Sequence, residues 1–238
     1  MDSIGNMNDC DLVLITGANR GLGRGFVHYY LKQGLNVIAC TRDIDNSLDL
    51  NLLAKEYNSN LVIHELDISQ ENSITRLGKK VEHLQFNIVI NNAGVCTEEN
   101  LGNWNSETFE SIFKVNTIGV ALFSQTILPC IKPNGKLINM SSGMGSIGLN
   151  LNPELGLDAY AMSKAALNIF SRRLASKKQC EKIIVVAMSP GWVKTDMGGN
   201  EAPVTIDEAI LNLGIVIDKL SFKESGKFLS VDGEELPW

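Results

Sequence analysis

The sequence predicts an α/β protein with a doubly wound, mostly parallel sheet of about seven strands and helices on both faces. Three observations carry this. Short, near-continuous apolar runs recur along the chain, successive runs are separated by segments long enough for a helix, and the first run ends in a glycine-rich loop. Strands that alternate with helices need crossover connections, which make neighbouring strands parallel and cover both faces of the sheet.

The first strand is expected over residues 11–16 and a helix over 26–32. Further strands are expected over 36–41, 61–66, 86–91, 136–140, 183–188 and 228–231. Stretch 158–174 is rich in Ala, Leu and Met and reads as a helix, as does 108–128. The intervals lack the short fixed period of a solenoid. A closed eight-fold barrel needs about one more strand and helix, and pattern alone leaves closure open. No linker interrupts the 238 residues, so a single domain over 1–238 is expected.

Composition narrows the function classes. With 44% hydrophobic and 20% charged residues the chain resembles ordinary globular proteins, and its net charge of −6 repels nucleic acid backbones. The five cysteines, at 10, 40, 96, 130 and 180, form no C-x-x-C pair, so neither a disulfide framework nor a metal site is expected. The amino terminus lacks the basic start and apolar stretch of a signal peptide, and no apolar run reads as a membrane span. A cytoplasmic setting without membrane contact follows as the expectation. His28, His64 and His83 lie away from every motif and read as surface or structural residues.

The loop Thr16-Gly17-Ala18-Asn19-Arg20-Gly21-Leu22-Gly23 falls between the first strand and the first helix. Backbone amides can approach a pyrophosphate there, where a Cβ would block them, and the helix N-terminus favours the negative charge. An ordinary glycine turn is the alternative. Three further motifs follow in order: Asn91-Asn92-Ala93-Gly94, Tyr160-x-x-x-Lys164 and Pro190-Gly191. Tyr160 and Lys164 share one helix face at i, i+4. A cation about 4 Å from a phenol, at an effective dielectric near 20, favours the phenolate by roughly 4 kcal/mol before desolvation opposes it. That brings the phenol toward the pH at which general acid and base catalysis works best.

These four ordered motifs, with the T-G-x-x-x-G-x-G spacing of the loop, resemble the short-chain dehydrogenases/reductases over nearly the whole chain. Stretches 191–199 and 225–238 are similar to the sniffer-like carbonyl reductase subgroup of that family. The resemblance implies a Rossmann fold, NADP(H) as cofactor and a small carbonyl substrate. It also implies a homodimer or homotetramer formed through the helices carrying Asn116 and Tyr160.

Site residues follow by the same resemblance. Gly17, Asn19, Arg20, Gly21, Leu22 and Gly23 form the phosphate loop, and Asn92, Ala93 and Gly94 border the adenine and ribose side. Arg42 at the end of the second strand, with Arg20, favours a 2′-phosphate. Asp43 is the competing reading, as an acceptor for a ribose hydroxyl. Asp67 and Ile68 lie where the adenine is held, although Asp67 alternatively caps the helix after Ser69. Pro190 and Gly191 belong to the cofactor site, and beyond them the Val193 backbone and the Thr195 hydroxyl hold the nicotinamide carboxamide.

The catalytic set is Asn116, Ser142, Tyr160 and Lys164, with Ser141 as the fallback for Ser142. Tyr160 protonates the developing alkoxide, Ser142 holds its oxygen, Lys164 holds the nicotinamide ribose and tunes Tyr160, and Asn116 distorts its helix and holds a water. The segment between Ser142 and Tyr160 is longer than the family's usual one. Stretch 196–203 is too short for a helical lid, so an open pocket lined by Trp104, Leu149, Trp192 and Met197 is expected. Three other classes compete. A non-enzymatic NADP(H)-binding sensor could use the same fold. A sugar-nucleotide epimerase would need additional carboxy-terminal sequence. A serine hydrolase fails because Met144 breaks the G-x-S-x-G elbow around Ser146.

Overall fold

The computed structural model describes residues 11–57 and 59–238. Cys10 and the amino-terminal segment read for a signal peptide lie outside the described residues, as does the side chain of Cys180. The chain runs β1 (Leu12–Thr16), α1 (Gly21–Lys32), β2 (Asn36–Thr41), α2 (Leu48–Glu56), β3 (Leu61–Glu65), α3 (Glu71–Val81) and β4 (Phe86–Asn91). It continues through α4 (Ser106–Phe113), a π-helical stretch Lys114–Gly119, α5 (Val120–Ile127), β5 (Ile131–Met140), α6 (Asp158–Lys177), β6 (Ile184–Met188), α7 (Ile206–Lys219) and β7 (Phe228–Leu229).

The strands form one sheet in the order β3-β2-β1-β4-β5-β6-β7, and every neighbouring pair is parallel. The sheet is open, which settles the barrel alternative. Winding reverses between β1 and β4, and at such a switch point the connecting loops diverge to leave a crevice at the carboxyl ends of the strands.

Two apolar layers hold the sheet. On one face Val13 and Ile15 of β1 pack in a cluster with Phe26 and Tyr30 of α1 and Leu213 and Ile217 of α7. On the other, Leu14 and Val89 join Leu77 of α3, Phe123 of α5 and Leu167 of α6. Val13 and Leu14 thus face opposite layers, as strand alternation requires, and both are fully buried because helices cover both sides.

Several boundaries differ from expectation. Helix α1 starts at Gly21 rather than at 26, because the glycine loop passes directly into the helix. Strand β5 reaches back to Ile131, which pairs with Phe86, whereas β7 stops at Leu229 and the chain turns back so that Glu235 bridges Leu229. The stretch 106–130 is long and apolar enough by composition to cross a membrane, contrary to the sequence reading. Its apolar residues Ile112, Val120, Phe123 and Ile127 are buried in the protein's own core, which accounts for that composition.

Candidate active site

A cleft of about 350 Å³ opens at the carboxyl ends of the strands. The β1 loop contributes Gly17, Asn19, Arg20, Gly21 and Leu22, the β2 end Arg42 and Asp43, and the β3 end Asp67 and Ile68. Asn92, Ala93 and Gly94 come from the β4 end, Ser141 from the β5 end, Tyr160 and Lys164 from α6, and Pro190 and Thr195 from the loop after β6. Residues far apart in sequence converge because their strands are parallel and end on one side. Gly23, Asn116, Ser142, Gly191 and Val193 are not part of the cleft lining.

The glycine loop has the geometry its composition suggests. Gly17 and Gly21 take positive φ values of 63° and 54°. A Cβ on Gly23 would stand 2.1 Å from the Gly17 carbonyl oxygen, so this glycine lets α1 pack against the loop and does not line the cleft. No side chain caps the first turn of α1, leaving its amides open toward the cleft. A glycine cradle over an open helix N-terminus fits a dinucleotide pyrophosphate. Asn92 braces this cradle: its Nδ2 donates to the Thr16 and Gly17 carbonyls, both at 3.0 Å, while Thr16 Oγ1 accepts from the Asn92 and Ala93 amides at 3.0 and 3.1 Å.

Four charged residues divide differently. Asp43 accepts from the Asn46 amide at 3.0 Å and from Asn46 Nδ2 at 2.5 Å, and these bonds hold its carboxyl below the usual range. Arg42 is exposed and makes no ion pair among the described residues. Arg20 pairs with Asp196 at 2.7 Å. Asp67 Oδ1 accepts from the Ser69 amide and hydroxyl at 2.9 and 2.7 Å, so its turn-capping role is realised even though it lines the cleft.

Helix α6 places Tyr160 and Lys164 on one face, with Lys164 Nζ 5.6 Å from the Tyr160 ring centroid. Lys164 is 4% exposed and donates to the Met140 carbonyl at 2.9 Å. Burial pushes the Tyr160 phenol up to about 12, the Ser142 hydroxyl opposing this, and pushes Lys164 down to about 8. The expectation that the lysine brings the phenol toward neutrality is therefore reversed in this state. Desolvation penalises both charged forms, and the ammonium is directed at a β5 carbonyl.

Ser142 caps the short helical turn Gly143–Gly145, accepting from the Met144 amide at 3.2 Å. Ser141 lines the cleft, but its hydroxyl is held by Asn168 Oδ1 at 2.6 Å. Asn116 sits in the π-helical stretch and is fully buried. Its Oδ1 accepts from the Val95 amide at 2.8 Å, and its Nδ2 donates to the Val95 carbonyl and Ser163 Oγ at 2.9 and 3.0 Å. The helix is thus irregular where expected, with Asn116 lashing it to the strand β4 loop behind Lys164. Val193 is buried in a bridge to Val204, and Gly191 turns the loop with φ 78°.

Of the expected substrate-side residues only Met197 lines the cleft. Trp104 and Trp192 are exposed, their indole N–H groups donating to Glu99 and Gly198 carbonyls at 3.1 and 2.6 Å, and Leu149 is exposed as well. Sequence reasoning missed Asn168, Cys96 and Asp196. Asn168 follows Lys164 by one helical turn, which was a legible signal. Cys96, whose thiol burial pushes up, lies in the loop after β4 and interacts electrostatically with Lys164 and Tyr160, a proximity that no local spacing signals.

A Tyr and Lys pair on one helix, beside a glycine cradle at the switch point of a parallel sheet, defines a dinucleotide-dependent oxidoreductase site of known type. The chain belongs to the short chain dehydrogenase family, whose model matches residues 11–204. Among solved structures it is similar to the NADPH-bound carbonyl reductase from chicken fatty liver, with 35% identity over 96% of this chain and 99% of that one and a TM-score of 0.89. It is also similar to the carbonyl reductase Sniffer of D. melanogaster, at 31% identity, 96% and 100% coverage and a TM-score of 0.90. The benzil reductase ((S)-benzoin forming) of Bacillus cereus is 30% identical over 231 residues, 92% of this chain and 88% of that protein.

Proposed function

We propose that the chain, as one domain over 1–238, catalyses reversible NADPH-dependent reduction of a small ketone, aldehyde or quinone to the alcohol. The observation that carries this is the convergence of Tyr160 and buried Lys164 on the cleft that the glycine loop closes. NADP(H), when bound, supplies or accepts the hydride. The residues that would hold it are the loop 17–23, Arg20 and Arg42 at the 2′-phosphate, Asp67 and Ile68 at the adenine, Asn92 to Gly94, Pro190 and Gly191, and Val193 and Thr195 at the carboxamide. Arg42, which makes no ion pair among the described residues, and Asp43, occupied by Asn46, support NADP(H) over NAD(H). The NADPH-bound avian relative supports the same choice.

Tyr160 donates its proton to the oxygen that becomes the alkoxide. A phenol held near pKa 12 by burial stays protonated at neutral pH, which suits the reductive direction. Ser142, whose hydroxyl favours the phenolate of Tyr160, orients the carbonyl oxygen, while Ser141 is committed to Asn168. Lys164 anchors the ribose, and Asn116 holds the loop that packs behind it. The reading includes a cytoplasmic homodimer or homotetramer, supported by exposed Ile118, Met162 and Ile169 on the two helices concerned and by free thiols at Cys40, Cys96 and Cys130.

The test is loss of reduced-nicotinamide absorbance with NADPH and with NADH over a panel of ketones, aldehydes and quinones. Turnover with NADPH that falls at least about 100-fold in Tyr160→Phe, with NADP+ binding retained, is the expected result. Tight NADPH binding without turnover on any carbonyl would point instead to a sensor.

A further inference from the structure

A cleft shaped for a polyanion carries a carboxylate on its own lip. Asp196 Oδ2 stands 2.7 Å from Arg20 Nη1, and both residues line the cleft, Arg20 from the loop after β1 and Asp196 from the loop after β6. The two loops also touch beside the pair, since a Cβ on Gly21 would lie 3.6 Å from the Thr195 methyl. The β6 loop is held there by its own bonds: Thr195 Oγ1 accepts from the Gly198 amide at 3.0 Å, and the Lys194 amide donates to the Val204 carbonyl at 2.8 Å. Arg42, the other arginine of the lip, has no such anion among the described residues. The lip is therefore asymmetric, with one guanidinium open and the other holding an internal anion.

We propose that Asp196 is a specificity-determining residue for the cofactor: its carboxylate occupies Nη1 of the Arg20 guanidinium that a 2′-phosphate takes, so the phosphate binds by exchange. Discrimination for NADP(H) over NAD(H) is then weaker than Arg20 alone would provide. This rests on the NADP(H) reading above. Carboxylate and phosphate recognise the same planar pair of N–H donors, and two anions at one fork repel. The side chains are 66% and 72% exposed, so the pair is weak and the exchange is a modest cost rather than a block.

A double-mutant cycle tests this, with dissociation constants for NADP+ and NAD+ measured calorimetrically at low ionic strength on the full chain and on its Asp196→Asn, Arg20→Gln and doubly substituted variants. Asp196→Asn is expected to tighten NADP+ about two- to five-fold, the range of an exposed ion pair, and to tighten NAD+ clearly less. The gain shrinks in the Arg20→Gln background, because simple repulsion of the phosphate would persist there while competition for the fork would not. An unchanged or weakened NADP+ constant in Asp196→Asn, an equal gain with and without Arg20, or an equal gain for NAD+ overturns the proposal while leaving the cofactor reading intact. Wild-type protein that binds neither dinucleotide overturns the cofactor reading and the proposal with it.

Discussion

Lys164 Nζ lies 5.6 Å from the centroid of the Tyr160 ring and gives its hydrogen bond to the Met140 carbonyl at 2.9 Å. The pair is thus built from two elements: α6 supplies both side chains, and β5 fixes where the ammonium sits. Burial displaces the two groups in opposite directions, the phenol to about 12 and the amine to about 8.

Opposite shifts produce two pH windows for stability. Lysine is less basic folded than unfolded, so between about pH 8 and 10.5 the unfolded chain binds the extra proton and stability rises with pH. Tyrosine is a weaker acid when folded, so between about pH 10 and 12 stability falls again. Thermal melts from pH 7 to 10 should show Lys164→Met more stable than wild type at pH 7, by up to about 3 kcal/mol, with the gap closing toward pH 10. A gap independent of pH would show that Lys164 does not titrate in this range.

The catalytic counterpart is a falling limb. If the Lys164 ammonium orients the site, kcat/KM for reduction drops above about pH 8, and this limb is missing from the residual activity of Lys164→Met. Initial rates at low substrate across pH 6 to 10 read it directly.

Asn168 ties the catalytic helix to the serine turn. Its Oδ1 accepts from Ser141 Oγ at 2.6 Å and its Nδ2 donates to the Gly145 carbonyl at 3.1 Å, on either side of Ser142. Asn168→Ala leaves both partners buried and unsatisfied. A loss of about 1–3 kcal/mol in urea unfolding is expected, with kcat reduced more than cofactor affinity. Unaltered kcat in the folded variant would deny it any role in holding Ser142.

Arg42 offers a guanidinium to the 2′-phosphate. Arg42→Gln should weaken NADP+ binding by about 10- to 100-fold, the worth of a charge-assisted bond of about 1.5–3 kcal/mol, while changing NAD+ little. Titration with both nucleotides decides it, and equal losses would place Arg42 at the pyrophosphate instead.

Gly119 is where the irregular helix meets the end of β3. A Cβ there would stand 2.3 Å from the Ile68 carbonyl oxygen and 2.9 Å from that of Lys114, both backbone atoms. Gly119→Ala is expected to destabilise the protein by about 1–3 kcal/mol despite its better helix propensity, measured as a lowered urea midpoint.

Much of the architecture was legible in sequence because apolar runs such as Leu12 to Thr16 and Ile184 to Met188 are buried on both faces, and such strands show themselves by composition alone. Boundaries at glycine and proline were less legible: the chain enters α1 at Gly21 and β5 begins at Ile131, where pairing with Phe86 rather than local propensity decides. The apolar stretch 106–130 illustrates the same limit, since a buried core helix and a membrane span share one composition.

The sequence by itself determined the order of strands and helices, the glycine loop before α1, and the shared face of Tyr160 and Lys164, because each follows from local spacing. Tertiary structure alone decided which groups surround them. Only the parallel sheet brings Met140 to Lys164, Asn168 to Ser141 and Asp196 to Arg20, and only burial in the assembled cleft moves the phenol up instead of down. Desolvation and long-range pairing depend on what the rest of the chain excludes from a site, which no local spacing records.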